Sequence, residues 1–197
     1  RKDMTEQGTK TAIGLIETSD HLLMGAVPET GVAALSDRVL VMYIPKLHES
    51  LVGIIAGRIK ERYYRPVLLF TDSEEEGIIK GSGRSIEGYN MYDEINKCSD
   101  YFTKFGGHEM AAGFSMEKRN LARLREKMNA NCTLDEKLLT PKLRIDVPMP
   151  LDYVTIPLTE ELEVLEPFGK GNEKPVFAQS GVRVKSARIM GKRQNVL

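Results

Sequence analysis

The sequence predicts an α/β fold: a mixed sheet with crossover helices, followed by an extended linker and an incomplete β segment. Three observations predict it. Two short apolar runs enclose an amphipathic helical pattern between residues 39 and 70. Glycine-punctuated segments then alternate with helical stripes as far as residue 131. From Pro141 onward, six prolines fall within 35 residues, which marks extended connecting chain.

The elements follow in order. Met4 to Thr18 reads as a helix with Ala12, Leu15 and Ile16 on its apolar side, weakened by Gly14. Ser19 to Asp37 is mixed and broken by Gly25, Pro28 and Gly31. Val39 to Ile44 is an apolar run stopped by Pro45, as suits a buried strand. Ser50 is placed to cap the next helix, where Val52, Ile55, Ala56, Ile59 and Tyr63 recur at helical spacing. Pro66 ends it, and Val67 to Phe70 reads as a second buried strand. Strand, helix and strand with short links imply a right-handed crossover and a parallel pair.

Ile78 to Ser85 reads as a strand running into a glycine-rich turn. Asn90 caps a helix with the stripe Met91, Ile95, Cys98 and Phe102, and Asp93 stands where a carboxylate favours the positive end. After Gly106-Gly107-His108, the small apolar stretch Ala111 to Met116 suits a strand close to neighbouring backbone. Leu121, Leu124 and Met128 mark a helix ending near Asn131. Beyond Pro141 one helix is expected at Thr159 to Leu165. Val182, Val184 and Ile189, interleaved with Arg183, Lys185 and Arg188, suggest a half-buried strand. The chain stops at Val196-Leu197 within this pattern, so a β domain begun and not finished is the expectation.

Composition sets bounds. The hydrophobic fraction is 41% and the charged fraction 28%, those of an ordinary globular protein. No apolar run reaches the roughly 18 residues needed to span a bilayer, and no signal sequence opens the chain; no membrane partner and a cytoplasmic location are expected. Cys98 and Cys132 are too few and too far apart for a zinc site or disulfide framework. Cys98 falls on a helical stripe and is expected to be a buried structural thiol. The net charge is zero, which argues against nonspecific coating of nucleic acid. The distribution is less even: Lys174 to Leu197 holds six basic residues and no acidic one, whereas Asp72 to Glu76 carries four acids. The acidic run is expected to be a solvated loop tip.

Two segments carry chemistry. Gly81-Ser82-Gly83-Arg84-Ser85 joins glycines, hydroxyls and a guanidinium. Glycines let backbone N–H groups approach an anion, hydroxyls add donors, and arginine offers a planar fork matched to phosphate. Taken alone, the segment is a weak pattern that fits an ordinary turn with a surface arginine better. In Phe105-Gly106-Gly107-His108-Glu109-Met110-Ala111-Ala112-Gly113, paired glycines free the chain to turn and present an imidazole. That imidazole can donate to a phosphate oxygen. A structural histidine in a loop is the alternative.

Together these segments closely resemble the DHH-associated C-terminal domain of the RecJ family. The resemblance extends to His48-Glu49-Ser50-Leu51-Val52-Gly53-Ile54 and Arg58-Ile59-Lys60-Glu61, with Leu47 where a tryptophan is usual. Downstream, Glu166-Pro167-Phe168-Gly169-Lys170-Gly171-Asn172 and Pro175-Val176-Phe177 resemble the start of the family's OB domain. The match covers roughly the whole chain, less distinctly over residues 1 to 20.

This resemblance implies a 5′-to-3′ exonuclease acting on single-stranded DNA at its 5′ end. It implies Mn2+ or Mg2+ held by aspartates and histidines of an N-terminal DHH domain, with a metal-activated water attacking the phosphodiester. The organisation implied is a linker helix and connection over 1–36, a DHH-associated domain over 37–135, and a linker with a truncated OB-like domain over 136–197. Arg84 and His108 are the implied catalytic-site residues, with Ser82, Gly83, Ser85, Gly106 and Gly107 binding substrate. The three histidines, His21, His48 and His108, form no Asp-His-His tripeptide, and Asp20-His21 is read as a helix-end or surface pair. No metal site or cofactor is expected in this chain, which by itself should not cut DNA. No closed barrel is expected over Val182 to Leu197, since an OB-fold needs about five strands. Three rivals stay open: a small-nucleotide phosphoesterase of the same superfamily, a binding module like the C-terminal domain of alanyl-tRNA synthetase, and a metabolic α/β domain.

Overall fold

The computed structural model describes residues 2–22, 37–169, 171–183 and 185–188. The chain divides into two compact units, Arg1–Pro141 and Lys142–Leu197.

In the first unit, α1 (Lys2–Leu22) leads to β1 (Leu40–Tyr43), α2 (Glu49–Tyr63) and β2 (Val67–Asp72). Then follow β3 (Ile78–Arg84), α3 (Met91–Asn96), β4 (Phe102–His108), β5 (Ala111–Glu117) and α4 (Leu121–Asn131). One five-stranded sheet has the order β1-β2-β3-β5-β4. β1 and β2 are parallel, as the crossover pattern requires, and the remaining pairs are antiparallel. The expected mixed α/β architecture is therefore present.

Burial explains the layers. Successive strand residues point to opposite faces. On one face Val41, Leu68, Phe70, Ile79, Phe114 and Met116 form a continuous core with Met91 and Ile95 of α3 and Leu121, Leu124 and Met128 of α4. On the other face the core is shorter. Leu40 and Met42 of β1 and Val67 and Leu69 of β2 pack against Leu51, Val52, Ile55, Ala56 and Ile59 of α2 and Ala12 of α1. No residue of β3, β4 or β5 joins this second core. Helices thus cover one face from edge to edge, whereas on the other α2 reaches from β1 and β2 onto β3 and leaves β5 and β4 bare.

Several local expectations change. The α2 cap is His48, whose side chain accepts from the Ser50 N–H, rather than Ser50 itself. Asn90 caps α3 through the Asp93 N–H as expected, but the helix ends at Asn96 and Phe102 opens a strand. Both glycine segments read as turns lie within strands: Gly81 and Gly83 in β3, Gly106 and Gly107 in β4. Packing is the reason. A Cβ on Gly81 would strike the Leu69 carbonyl and the Phe114 ring, and one on Gly107 would strike backbone of Ala111 and Ala112. These glycines admit neighbours rather than reverse the chain. Asp72 is exposed as expected, but it belongs to a strand rather than to the loop. It closes β2 and accepts hydrogen bonds from the Tyr43 hydroxyl and, at 2.9 Å, from the Lys46 N–H. Glu74, Glu75 and Glu76 are exposed in the turn beyond it.

Cys98 and Cys132 are buried, and burial raises both thiols above their usual range. Ala12 of the expected α1 stripe is buried, while the Leu15, Ile16, Asp20 and His21 side chains and the stretch 23–36 lie outside what is described.

In the second unit, α5 (Ile156–Glu163) is capped by Thr155, and β6 (Val147–Pro148) pairs in parallel with β7 (Phe177–Ala178). Helix α5 starts three residues before the expected Thr159. None of the buried apolar residues lies beyond Leu139, so this unit has no core among the described residues. The OB-like segment is incomplete among the described residues. Val182–Arg183 and Lys185–Arg188 carry no strand, contrary to expectation, and Val182 is half-exposed. Val184 and residues 189–197 lie outside the described residues. Among the described residues no helix is long and apolar enough to cross a membrane.

Candidate functional site

The chemistry-bearing residues gather on this second face of the sheet, half-buried beside α2 on β3 and exposed on β4. In β3, alternation sends Ile79, Gly81 and Gly83 toward the core and Lys80, Ser82 and Arg84 to the open face. Pairing with β5 and β4 then builds three rows: Lys80–Ser115–Lys104, Ser82–Gly113–Gly106 and Arg84–Ala111–His108. Residues opposite one another in a ladder share a face. Adjacent strands lie about 4.8 Å apart, so β3 and β4 stand about 10 Å apart across β5. Rows along the strands repeat every 7 Å or so.

Arg84 and His108 therefore share one row and one face. Their side chains do not meet at a single point. The Arg84 guanidinium leans toward α2, where Nη1 donates to Ser82 Oγ at 2.6 Å and to the Gly83 carbonyl at 2.7 Å. A Cβ on Gly53 of α2 would lie 2.5 Å from Arg84 Nη2 and 3.2 Å from Ser82 Oγ. A bare position in the helix is what lets the guanidinium lie there. Nε and Nη2 make no hydrogen bond among the described residues, leaving donors for an anion.

His108 is exposed at the end of β4, and its Nδ1 accepts from the Met110 N–H at 3.3 Å. An accepting Nδ1 puts the proton of a neutral ring on Nε2, which becomes the outward donor. The hairpin tip between β4 and β5 is pinned, since Ser85 N–H donates to the Met110 carbonyl and Met91 N–H to the Glu109 carbonyl, both at 2.9 Å. His108 thus sits on a held turn.

The remaining expected residues divide. Ser82 and Gly106 belong to the open face. Gly83 lies on the core face, against Met91 and Phe114. Gly107 likewise turns away from the open face, against Ala111 and Ala112. Ser85 is buried, and its hydroxyl donates to the Tyr89 carbonyl at 2.5 Å, so it supports the end of β3 and does not face a ligand. Sequence reasoning missed Gly53, Lys80, Lys104 and Ser115. The signal was a period of two: the polar residues Lys80, Ser82 and Arg84 alternate with apolar or small ones.

Between α2 and the strands runs a groove of about 320 Å3 lined by Glu49, Val52, Gly53, Lys80, Ser82 and Gly113, among others. Lys80 Nζ is tied to Glu49 Oε2 at 2.5 Å on its rim. Among the described residues no three His, Cys, Asp or Glu side chains stand close enough to hold a metal ion. The open face itself offers one imidazole among lysines and an arginine, a donor set that does not fit divalent cations seeking carboxylate oxygens. What it can do is bind and neutralise an anion.

Residues 36–133, which place the glycine-arginine strand β3 and the diglycine-histidine strand β4 on either side of β5, match the family model of the DHHA1 domain. Residues 145–197 match the RecJ OB domain. The sequence is 35% identical over 144 residues to the single-stranded-DNA-specific exonuclease RecJ of Bacillus subtilis, covering 72% of this chain and 18% of that protein. It is 36% identical over 160 residues to RecJ of Escherichia coli, covering 78% and 27% respectively. The crystal structure of RecJ in complex with Mn2+ from Thermus thermophilus superposes with a TM-score of 0.59 at 27% identity, over 86% of this chain and 24% of that one. The chain belongs to the RecJ family. It spans less than a third of the length of those relatives.

Proposed function

We propose that this chain is the substrate-gripping part of a RecJ-type exonuclease, with the open face of β3, β5 and β4 receiving the backbone of single-stranded DNA at its 5′ end. The observation that carries this reading is the row Arg84–Ala111–His108, where a guanidinium and an imidazole flank one small residue. Arg84 supplies a planar cation suited to phosphate, with the Ser82 hydroxyl beside it. His108 directs its Nε2 proton to a phosphate oxygen and eases the build-up of charge near the reacting group. Gly106 keeps the middle row bare, so the ligand approaches the sheet closely. Gly83, Gly107 and Ser85 act from behind by holding the strands.

In this reading a DHH domain in cis holds Mn2+ or Mg2+ and supplies the metal-activated water. Residues 1–36 form the connection to it, 37–135 the DHH-associated domain, and 136–197 the linker and OB-like segment. The names of the relatives support the substrate and reaction class.

Fluorescence anisotropy tests the assignment. The chain should bind 5′-phosphorylated single-stranded DNA in preference to cyclic dinucleotides and tRNA, and should not shorten that DNA when Mn2+ is added. Preference for a cyclic dinucleotide or for tRNA would sink the reading.

A further inference from the structure

We propose that Lys104 is a second phosphate-binding residue, and that a single polynucleotide strand runs along β5 from the Arg84–His108 row to the Lys80–Lys104 row. This rests on the proposed function and extends it to the path of the ligand.

The first observation is a bulge. The pairing of β4 with β5 shifts register between Phe102 and Lys104, leaving Thr103 without a register partner, its hydroxyl donating to the Ser115 carbonyl at 3.1 Å. In a regular strand, residues two apart point to the same face. Here they do not. Phe102 pairs with Met116 and packs on the core, whereas Lys104 pairs with Ser115 on the open face. The extra residue re-aims Lys104, a use bulges commonly serve beside functional sites. Without it, either Phe102 would leave the core or Lys104 would enter it.

The second observation is the state of that lysine. Lys80, Lys97 and Arg119 are each tied to a carboxylate. Lys104 is exposed and makes no ion pair among the described residues. A protein with zero net charge has no bulk field with which to gather DNA, so untied cations on one face must do so locally.

The third is the shape of the strip. A Cβ on Gly106 or Gly113 would meet nothing within 4 Å, so the middle row is a bare floor between basic ends. Bounded by α2 on the β3 side, the strip is about 10 Å from β3 to β4, a width that suits one sugar–phosphate backbone. His108 and Lys104 lie four residues apart along β4, roughly 13 Å. A strand covers that distance in about two to four nucleotides, the larger number when its bases stay stacked.

The test uses the full chain and labelled, 5′-phosphorylated oligothymidylates, a dinucleotide and an octanucleotide. Lys104→Ala should weaken the octanucleotide roughly tenfold at low salt, with the dependence of log K on log salt shallower by about 0.7. It should leave the dinucleotide unchanged, whereas Arg84→Ala weakens both. Lys127→Ala on α4, a charge control on the helix-covered side, should weaken neither. If Lys104→Ala behaves like Lys127→Ala while Arg84→Ala still weakens binding, the path is wrong and the Arg84–His108 reading survives. If Arg84→Ala also leaves binding intact, both fall. A duplex that competes as well as a single strand likewise overturns the path.

Discussion

Arg84 and His108 are both register partners of Ala111, one on each side of β5. Residues separated by 24 positions in the chain are thereby set on one face of the sheet, one strand's width to either side of a methyl group. The position between them can hold nothing bulky without closing the strip.

That shared row predicts coupled effects on DNA binding. A hydrogen bond to a charged group is worth about 1.5–3 kcal/mol, so Arg84→Ala and His108→Ala should each cost ten- to about a hundredfold in affinity. Groups that share a ligand are non-additive by about 0.5–3 kcal/mol. Anisotropy titrations of the two single variants and the double variant measure this. Strict additivity would place the two side chains on separate ligands.

Gly53 separates positioning from stability. Its missing Cβ makes room for Arg84 Nη2, the far end of a flexible side chain that can move aside. Gly53→Ala should therefore displace the guanidinium and weaken single-strand binding several-fold, while helix α2 gains up to about 1 kcal/mol from the better helix former. Thermal melts and anisotropy on the same sample check both halves. Undiminished binding would mean that the position of the guanidinium is irrelevant.

The paired glycines of β4 should respond oppositely to one methyl group. At Gly107 a Cβ would run into backbone of Ala111 and Ala112, and at Gly106 it would meet open space. Gly107→Ala should cost about 1–3 kcal/mol, in the range of overpacking, and Gly106→Ala no more than about 0.5 kcal/mol. Denaturant titration distinguishes them. Gly106→Ala should still weaken DNA binding by raising the floor of the strip.

Acid sensitivity should trace in part to Asp72. The hydrogen bond from Tyr43, then that from the Lys46 N–H, hold its carboxyl below the usual range. A carboxyl lowered in the folded state stabilises that state fully above its unfolded value of about 3.9, and loses the contribution as pH falls through the lowered value. Tyr43→Phe removes the main cause, so its stability should decline less steeply below about pH 4. Equal pH profiles for the wild type and this variant would contradict that cause.

Much of the fold was legible because its signals are local. The α2 stripe of Val52, Ile55, Ala56 and Ile59 is buried as its spacing required, and Pro66 ends the helix before β2. The parallel β1/β2 pair followed from strand, helix and strand in short succession. The candidate site was legible in residue identity and misjudged in conformation. Gly81, Gly83, Gly106 and Gly107 carried a turn signal, because an absent side chain reads the same whether it frees φ or admits a neighbour. At Gly81, Gly83 and Gly107 it admits Phe114, Met91 and the backbone of β5, and at Gly106 it leaves open space.

The sequence by itself determined the order of elements, the buried stripes and the presence of a glycine-arginine segment ahead of a diglycine-histidine segment. All of these are written in spacings of a few residues. Tertiary structure alone decided that α2 reaches only as far as β3, that Thr103 bulges, and that Lys80, Ser82, Arg84, Lys104 and His108 share the face beside and beyond it. The reason is that a strand's face acquires meaning only when its register and its covering helix are set. Both are settled by contacts between segments distant in the chain, which no local period records.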